Sequence, residues 1–92
     1  KILFVQCQNS DLIVHTRDGR YKAKSSLHEL EQKLSPFGFI RTHRSYLVNS
    51  SAIVEMIPWF NGSVKLIMDD KERTEVLVSR NNVKGMKEYF NL

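Results

Sequence analysis

The chain of 92 residues carries 14 Lys and Arg against 10 Asp and Glu, which gives a formal net charge of +4. Its 41% hydrophobic content suffices for one compact domain over residues 1–92 and is too small for two. A domain of this size leaves much of its surface in water and has little room for a deep catalytic cavity, which disfavours a self-contained enzyme. The positive charge fits a polyanionic partner but also fits many ordinary domains, so it decides nothing alone.

The single cysteine, Cys7, cannot form a disulfide within the chain, and no CxxC spacing or leader-like apolar segment is present. This favours a reducing, cytoplasmic location. No apolar run reaches the roughly 18 residues needed to span a bilayer, so no membrane association is expected. Because the chain starts directly on an apolar run at Ile2, we expect it to be part of a longer polypeptide.

The first part of the chain predicts three short strands. Residues 2–6 and 12–16 are rich in β-branched and apolar side chains, and the polar segment between them supplies turn formers. An Asp-Gly pair then predicts a second hairpin that leads into residues 21–24. Because apolar residues alternate with Lys22 and Lys24 in that segment, one face of the strand is expected to be basic.

A helix is predicted after the third strand. Ser26 and Glu29 form an S-x-x-E capping box, and three leucines then recur at helical spacing until Pro36 stops the helix. The helix presents a narrow apolar stripe, and His28 is expected on its solvated face.

Beyond this helix the pattern returns to strands, at residues 37–41, 53–60, 63–68 and 74–78. The Asn-Gly pair between the second and third of these is a strong hairpin signal. Pro58 removes a donor from the backbone ladder, so its strand is expected at a sheet edge or with a bulge.

The end of the chain predicts a second helix. Val83, Met86 and Phe90 have helical spacing, and Ser79 or a following Asn is the expected N-cap. Gly85 weakens such a helix by roughly 1 kcal/mol relative to Ala, so the helix is expected to depend on packing against the sheets.

The stretch FIRTHRSYLVNSSAI, residues 39–53, places His43, Arg44 and Ser45 between two apolar runs. A Ser-His pair is conceivable there, but no Asp or Glu lies close in sequence to orient the histidine, and no glycine-rich oxyanion loop is present. The three histidines have no ligand spacing for zinc, and one cysteine adds little. We therefore expect no enzyme activity, no metal site and no cofactor.

This stretch, followed by PWFNGS, a strand and VLVSRNNVKGMKEYF, resembles the LytTR DNA-binding domain, the output module of many bacterial response regulators. The resemblance covers nearly all of the chain and keeps the order and spacing of its segments. It implies a mainly β fold, elongated and built of packed antiparallel sheets with short helices, and not a helix-turn-helix. It also implies double-stranded DNA as the partner.

The resemblance further implies that three loops on one edge face DNA, two of them reaching into successive major grooves. The matching positions are Asn9 and Ser10 in the first loop, His43 and Arg44 in the central loop, and Arg80 with Asn81 before the last helix. A bidentate contact from Arg to guanine is the commonest specific readout and is worth about 1–3 kcal/mol of discrimination. Solvated lysines would contact phosphates and add affinity without specificity; they are Lys22, Lys24 and Lys84.

Some of these positions also have purely structural interpretations. His43 could be an interior histidine whose ring nitrogens bond to the backbone, and Arg44 could pair with Glu55 or Glu75. Asn49 is expected to terminate a short helical turn by hydrogen bonding its own backbone, rather than to contact DNA.

The aromatic and apolar residues near these loops are expected to be structural. Tyr46, Leu47 and Val48 lie in an apolar run without the exposed aromatic spacing of an RNA-binding sheet, so we predict that they belong to the core. Trp59 and Phe60 precede the Asn-Gly turn and are predicted to pack across strands.

We therefore predict sequence-specific binding of double-stranded DNA by the output domain of a bacterial transcriptional regulator. By resemblance, a phosphorylatable receiver domain precedes Lys1, residues 1–92 form the C-terminal part of the regulator, and two copies occupy a direct repeat. Pairing through the missing part would raise avidity, so the isolated domain is expected to be monomeric and to bind one half-site weakly. The alternative is a basic, β-rich protein-binding module with an acidic protein partner.

Overall fold

Strands carry most of the regular structure in the computed structural model, which describes residues 1–92. The strands are β1 (Ile2–Gln8), β2 (Asp11–Thr16), β3 (Gly19–Ala23), β4 (Phe39–His43), β5 (Tyr46–Asn49), β6 (Ile53–Pro58), β7 (Val64–Met68) and β8 (Glu75–Val78). The helices are α1 (Leu27–Leu34) and α2 (Arg80–Tyr89). Neither helix is long and apolar enough to cross a membrane.

The strands form two antiparallel sheets, one of five strands in the order β3-β2-β1-β5-β4 and one of three strands in the order β6-β7-β8. The prediction of a mainly β fold with short helices is confirmed, and the two helices are separated by five strands rather than joined by a turn. The extents along the principal axes are 32, 27 and 25 Å, so the elongation is slight.

The main hydrophobic core lies between the two sheets and α2. It contains Leu3, Phe4, Val48, Ala52, Val64, Leu66, Met68, Val76, Val78 and Met86. Neighbouring residues of a regular strand point to opposite faces, yet Leu3 and Phe4 both enter this core. A shift of register between Ile2 and Phe4 explains this, because a bulge turns one extra side chain inward.

A second, smaller core covers the other face of the five-stranded sheet, where α1 packs with Leu27 against Val5, Leu12 and Leu47. The predicted capping box is present: Ser26 Oγ accepts from the Glu29 N–H at 3.0 Å, and Glu29 Oε1 accepts from the Ser26 N–H at 3.1 Å. The Glu29 carboxylate accepts hydrogen bonds from the Ser26 backbone and from the Ser26 and Ser25 hydroxyls, and these bonds, the backbone one first, lower the pKa of that carboxyl. His28 is exposed, as predicted.

Strand β5 had no counterpart in the sequence prediction. It lies between β1 and β4 in the five-stranded sheet, and it begins directly after the His-Arg-Ser triplet. The core assignment of its residues is confirmed for Leu47 and Val48, which are fully buried, while Tyr46 is half-buried. Only four residues long, this strand leaves too short a pattern for periodicity to identify.

Most strand boundaries differ from the prediction by one or two residues, and two of these shifts have identifiable local causes. β4 begins at Phe39 because residues 35–37 form a 3-10 turn that ends at Gly38, whose φ of 88° suits glycine. β6 ends at Pro58, and its place at the edge of the three-stranded sheet confirms the prediction for that residue.

The prediction of cross-strand packing is wrong for Phe60, which is 73% exposed. The Asn-Gly pair closes a 3-10 turn over residues 60–62, so Phe60 lies beyond the end of the ladder, where its ring meets Trp59 edge-on at 5.0 Å between centroids. Trp59 is itself exposed, and the Lys65 Nζ lies over its ring, 3.5 Å from the ring centroid.

The shared core gives a direct test on two leucines of the same sheet. Leu66 is fully buried, and its replacement in Leu66→Ala is expected to lower the free energy of unfolding by about 2–5 kcal/mol. Leu77 is 38% exposed, so Leu77→Ala is expected to change that free energy by no more than about 0.5 kcal/mol. Urea unfolding of both variants measures the difference; equal losses would contradict this assignment of the two faces.

Candidate nucleic-acid interface

The three predicted loops converge at one end of the molecule. The Cys7 N–H donates to the Ser45 carbonyl at 2.8 Å, which sets the β1–β2 turn beside the β4–β5 turn. The Ser79 N–H donates to the Thr42 carbonyl at 3.0 Å, which sets the start of α2 against the same β4–β5 turn. We call this region the loop end; it comprises residues 9–10, 43–45 and 79–81.

The first loop is a tight two-residue turn between Gln8 and Asp11. Asn9 has a φ of 58°, a left-handed conformation that Asn adopts more readily than most residues. The side chains of Asn9 and Ser10 are exposed and make no hydrogen bond within the protein. Their short polar groups are therefore available to a closely approaching ligand.

His43 in the central loop is held by its own turn. Its Nδ1 accepts from the Ser45 N–H at 3.1 Å, and its ring meets Tyr46 edge-on at 5.9 Å between centroids. The ring is half-buried rather than interior, so the alternative structural interpretation applies to one nitrogen only. With Nδ1 accepting, the neutral ring carries its proton on Nε2, which can donate to a base or phosphate acceptor. Ser45 bonds through its backbone, so no Ser-His hydroxyl pair forms.

Arg44 is exposed and makes no ion pair, in contrast to the structural alternative. Of its two candidate partners, Glu75 pairs with Lys65 at 3.2 Å, and Glu55 is solvated. The guanidinium of Arg44 is therefore free to bind an external acceptor.

Arg80 and Asn81 are exposed at the start of α2. Ser79 is the N-cap residue, as predicted, but its side chain does not cap the helix: Ser79 Oγ accepts from Asn82 Nδ2 at 2.6 Å. Since the first N–H groups of a helix lack partners inside it, this start adds donors for an anion beside the Arg80 guanidinium.

Sequence analysis missed a fourth segment at the loop end, the turn over residues 60–62. Val64 pairs with Val78, so this turn leaves the three-stranded sheet at the end where α2 begins. A Cβ on Gly62 would lie 3.3 Å from Arg80 Cδ and 3.4 Å from Arg80 Cγ. The turn therefore backs the Arg80 side chain. The Asn-Gly pair signalled a turn, but nothing in the sequence signalled its contact with Arg80.

The predicted phosphate-contacting lysines are exposed around the same end. Lys22 lies 3.7 Å from the Asp11 carboxylate, a solvated pair, whereas Lys24 and Lys84 have no acidic partner. Lys24 follows Ala23, which pairs with Leu12 beside the first loop, so the end of β3 leads Lys24 toward the loop end.

Two arginines at the opposite end of the molecule pair with a carboxylate instead. Asp69 accepts from Arg17 at 2.5 Å and from Arg73 at 3.2 Å, and the Arg17 hydrogen bond is the main cause of its lowered pKa. His15 nearby stacks on Phe4, and burial followed by the charge of Arg20 lowers its pKa. Arg20 and Lys71 at this end lie in a cleft lined by four acidic residues, Asp18, Asp69, Asp70 and Glu72. Arg44 and Arg80 at the loop end have no carboxylate partner.

Asn49 hydrogen bonds to the backbone, as expected, but its position relative to the neighbouring turn differs from the expected one. Its Nδ2 donates to the Ile2 carbonyl at 2.9 Å, and its Oδ1 accepts from the Ser51 N–H at 3.1 Å, so it bonds to the backbone from a buried position. It begins the 3-10 turn over residues 50–52 rather than terminating it.

Comparison with protein families identifies the same architecture. The model of the LytTr DNA-binding domain matches residues 1–91. The chain belongs to the LytTR DNA-binding domain family. This membership agrees with the resemblance carried by the central stretch and the Ser-Arg pair before α2.

Individual relatives extend this result. The sensory transduction protein LytT of Oceanobacillus iheyensis is 49% identical over 65 residues, covering 71% of this chain and 26% of the relative. The LytT protein of Bacillus subtilis is 35% identical over 91 residues, covering 99% of this chain and 37% of the relative. The chain thus spans well under half the length of these relatives.

A solved structure also matches the fold closely. It is the LytTr DNA-binding domain of a putative methyl-accepting/DNA response regulator from Bacillus cereus, with a TM-score of 0.91 and 25% sequence identity. The match covers 100% of this chain and 83% of the other. The arrangement of both sheets and both helices is therefore that of a LytTR domain.

The different backbone conformations of Gly62 and Gly85 predict opposite effects for two Gly→Ala substitutions. Gly62 has a φ of 78°, so Gly62→Ala is expected to lower the free energy of unfolding by about 1–2 kcal/mol, as a left-handed Ala does. Gly85 lies in α2 with nothing within 4 Å of a Cβ, so Gly85→Ala is expected to raise it by about 0.5–1 kcal/mol. Urea unfolding tests both; a stabilising Gly62→Ala would contradict the described turn.

Proposed function

We propose that this chain is a sequence-specific, double-stranded DNA-binding output domain of a bacterial two-component response regulator. The observation that carries the proposal is the convergence of the predicted loops, with unpaired Arg and Lys side chains, at one end of a LytTR domain. A protein reads sequence by presenting a few directional donors to base edges while cations bind the phosphates around them. The loop end offers both kinds of group.

The proposed division of labour follows from the side chains. Arg44 and Arg80 are the candidates for bidentate contact with guanine, because both guanidinium groups are solvated and unpaired. His43 donates through Nε2, and its Nδ1 bond to the backbone fixes the ring direction. The remaining site residues have short polar side chains that contact the DNA backbone or a base edge where it approaches closely; they are Asn9, Ser10 and Asn81.

The central loop and the start of α2 are the two elements proposed to enter successive major grooves. Each carries one exposed arginine, Arg44 or Arg80. Both are fixed to β4, because Ser79 bonds to Thr42, one residue before His43. Lys24, directly after β3, and Lys84, on α2, are the proposed phosphate contacts. Affinity is expected to fall steeply with salt concentration, as counterion release requires.

We further propose that residues 1–92 act as one domain within a longer cytoplasmic regulator, which has a receiver domain and binds a direct repeat as a dimer. The lengths of the relatives support a longer chain. The isolated domain is then monomeric and binds a half-site weakly, because avidity comes from the missing part. A stable dimer of these 92 residues in sedimentation at micromolar concentration would contradict this.

Enrichment from a random duplex library tests the function. The wild-type domain is expected to enrich a motif, and a His43→Ala, Arg44→Ala, Arg80→Ala triple variant with unchanged circular dichroism is expected to lose it. If neither protein enriches a motif, the selection is repeated with an artificially dimerised form. Failure there too would overturn the proposal in favour of an acidic protein partner at the same loop end, a partner that random-sequence duplex would not displace.

Two single substitutions separate reading from positioning. Arg80→Ala is expected to weaken binding to the enriched site by about 1–3 kcal/mol and to relax specificity at one base position. Lys84→Ala, one turn further along α2, is expected to weaken preferred and scrambled duplexes alike and to reduce the salt slope by about one. Fluorescence anisotropy on both duplexes at several salt concentrations measures this. Equal losses on both duplexes for Arg80→Ala would show that Arg80 contacts only the DNA backbone.

A further inference from the structure

We propose that Arg41, which no part of the predicted interface includes, is the positioning residue that sets the direction of the Arg44 side chain toward DNA. This inference rests on the proposed function of the loop end. Arg41 does not itself contact DNA; it acts through the backbone of the β4–β5 turn.

One guanidinium holds the turn from inside. Arg41 Nε donates to the His43 carbonyl at 2.9 Å, and Arg41 Nη2 donates to the Arg44 carbonyl at 2.8 Å. Arg41 Nη1 donates to Glu31 Oε1 on α1 at 2.8 Å. The three nitrogens of the Arg41 guanidinium thus donate to three different acceptors, and the Arg41 side chain is only 26% exposed.

The two carbonyls belong to consecutive peptide units, and these units flank the Cα of Arg44. Because each peptide unit is planar, fixing both carbonyl directions restricts the two dihedral angles of Arg44 between them. The Cα–Cβ bond then points in one direction, and the long side chain starts from a defined place. A free two-residue turn would instead distribute the guanidinium of Arg44 over many orientations, at an entropic cost on binding.

The same contacts tie the turn to α1. Arg41 pairs with Leu47 across the β4–β5 ladder, and Leu47 belongs to the core that α1 covers. Arg41 therefore leaves the strand on the α1 side, where Glu31 accepts from it. The register shift between Arg41 and His43 places Thr42 in a bulge, and this lets the Arg41 side chain run alongside the turn that follows.

Lysine cannot replace this guanidinium. Its ammonium is a single point of donation, so it can keep the pair with Glu31 but cannot also reach two carbonyls in the fixed fork of an arginine. The substitution Arg41→Lys therefore removes the positioning contacts while it conserves the charge. Arg17→Lys is the matched control, because Arg17 also pairs with a carboxylate but lies at the opposite end of the molecule.

The test measures the binding of wild type, Arg41→Lys and Arg17→Lys to the enriched duplex and to a scrambled duplex. Arg41→Lys is expected to lose about tenfold in affinity for the enriched duplex, and less than about twofold for the scrambled one, since only directional base contacts depend on the turn. Arg17→Lys is expected to bind both duplexes as wild type does. Urea unfolding of Arg41→Lys and Arg17→Lys shows whether the two substitutions change the free energy of unfolding by the same amount.

A readout without DNA completes the test. The Ser45 amide is part of the turn and donates to His43, so its hydrogen exchange is expected to accelerate in Arg41→Lys and to stay unchanged in Arg17→Lys. Glu31→Gln, which leaves both carbonyl bonds in place, is expected to change affinity in the same direction by a smaller factor.

Three outcomes would overturn the proposal. If Arg41→Lys binds the enriched duplex as wild type does, Arg41 does not position Arg44. If its affinity falls equally for enriched and scrambled duplexes with unchanged Ser45 exchange, Arg41 contacts phosphate directly. If wild type enriches no motif even when dimerised, the proposed function fails first, and the positioning role fails with it.

Discussion

The hydrogen bond from the Ser79 N–H to the Thr42 carbonyl joins the two sheets at the end that carries the candidate interface. Thr42 is fully buried in a bulge of β4, so this backbone bond is shielded from competing water. Residues 43–45 follow it on one side and α2 follows it on the other. The distance between the central loop and Arg80 is therefore set inside the protein.

The core reinforces this constraint. A sheet must bury its apolar face against another layer, and the main core takes side chains from both sheets and from Met86 of α2. Tilting one sheet against the other would open that core, at a cost that grows with the apolar area exposed to water. The interface is thus carried on a rigid scaffold, and the conformational freedom that remains lies in exposed side chains such as Arg44 and Arg80.

Features that depend on neighbouring residues could be predicted from the sequence, and features that depend on folding could not. The capping box at Ser26 needs only residues three positions apart, so its pattern is local. β5 was missed because a four-residue strand has no measurable period. The exposure of Phe60 depends on the path of the 60–62 turn beyond the end of the strands. The resemblance suggested that Arg44 contacts DNA, but it could not show that Arg44 pairs with neither Glu55 nor Glu75. The site residues named from the family remain predictions.

The distribution of ion pairs connects the fold to its proposed partner. Arg17 and Arg73 both pair with Asp69 at one end, whereas Arg44 and Arg80 make no ion pair at the other. A net charge of +4 spread evenly would attract a polyanion in any orientation. Under the proposed function, the unpaired Arg44 and Arg80 attract phosphates toward the loop end as the domain approaches DNA. This attraction would bring the loops to the grooves, where directional hydrogen bonds act.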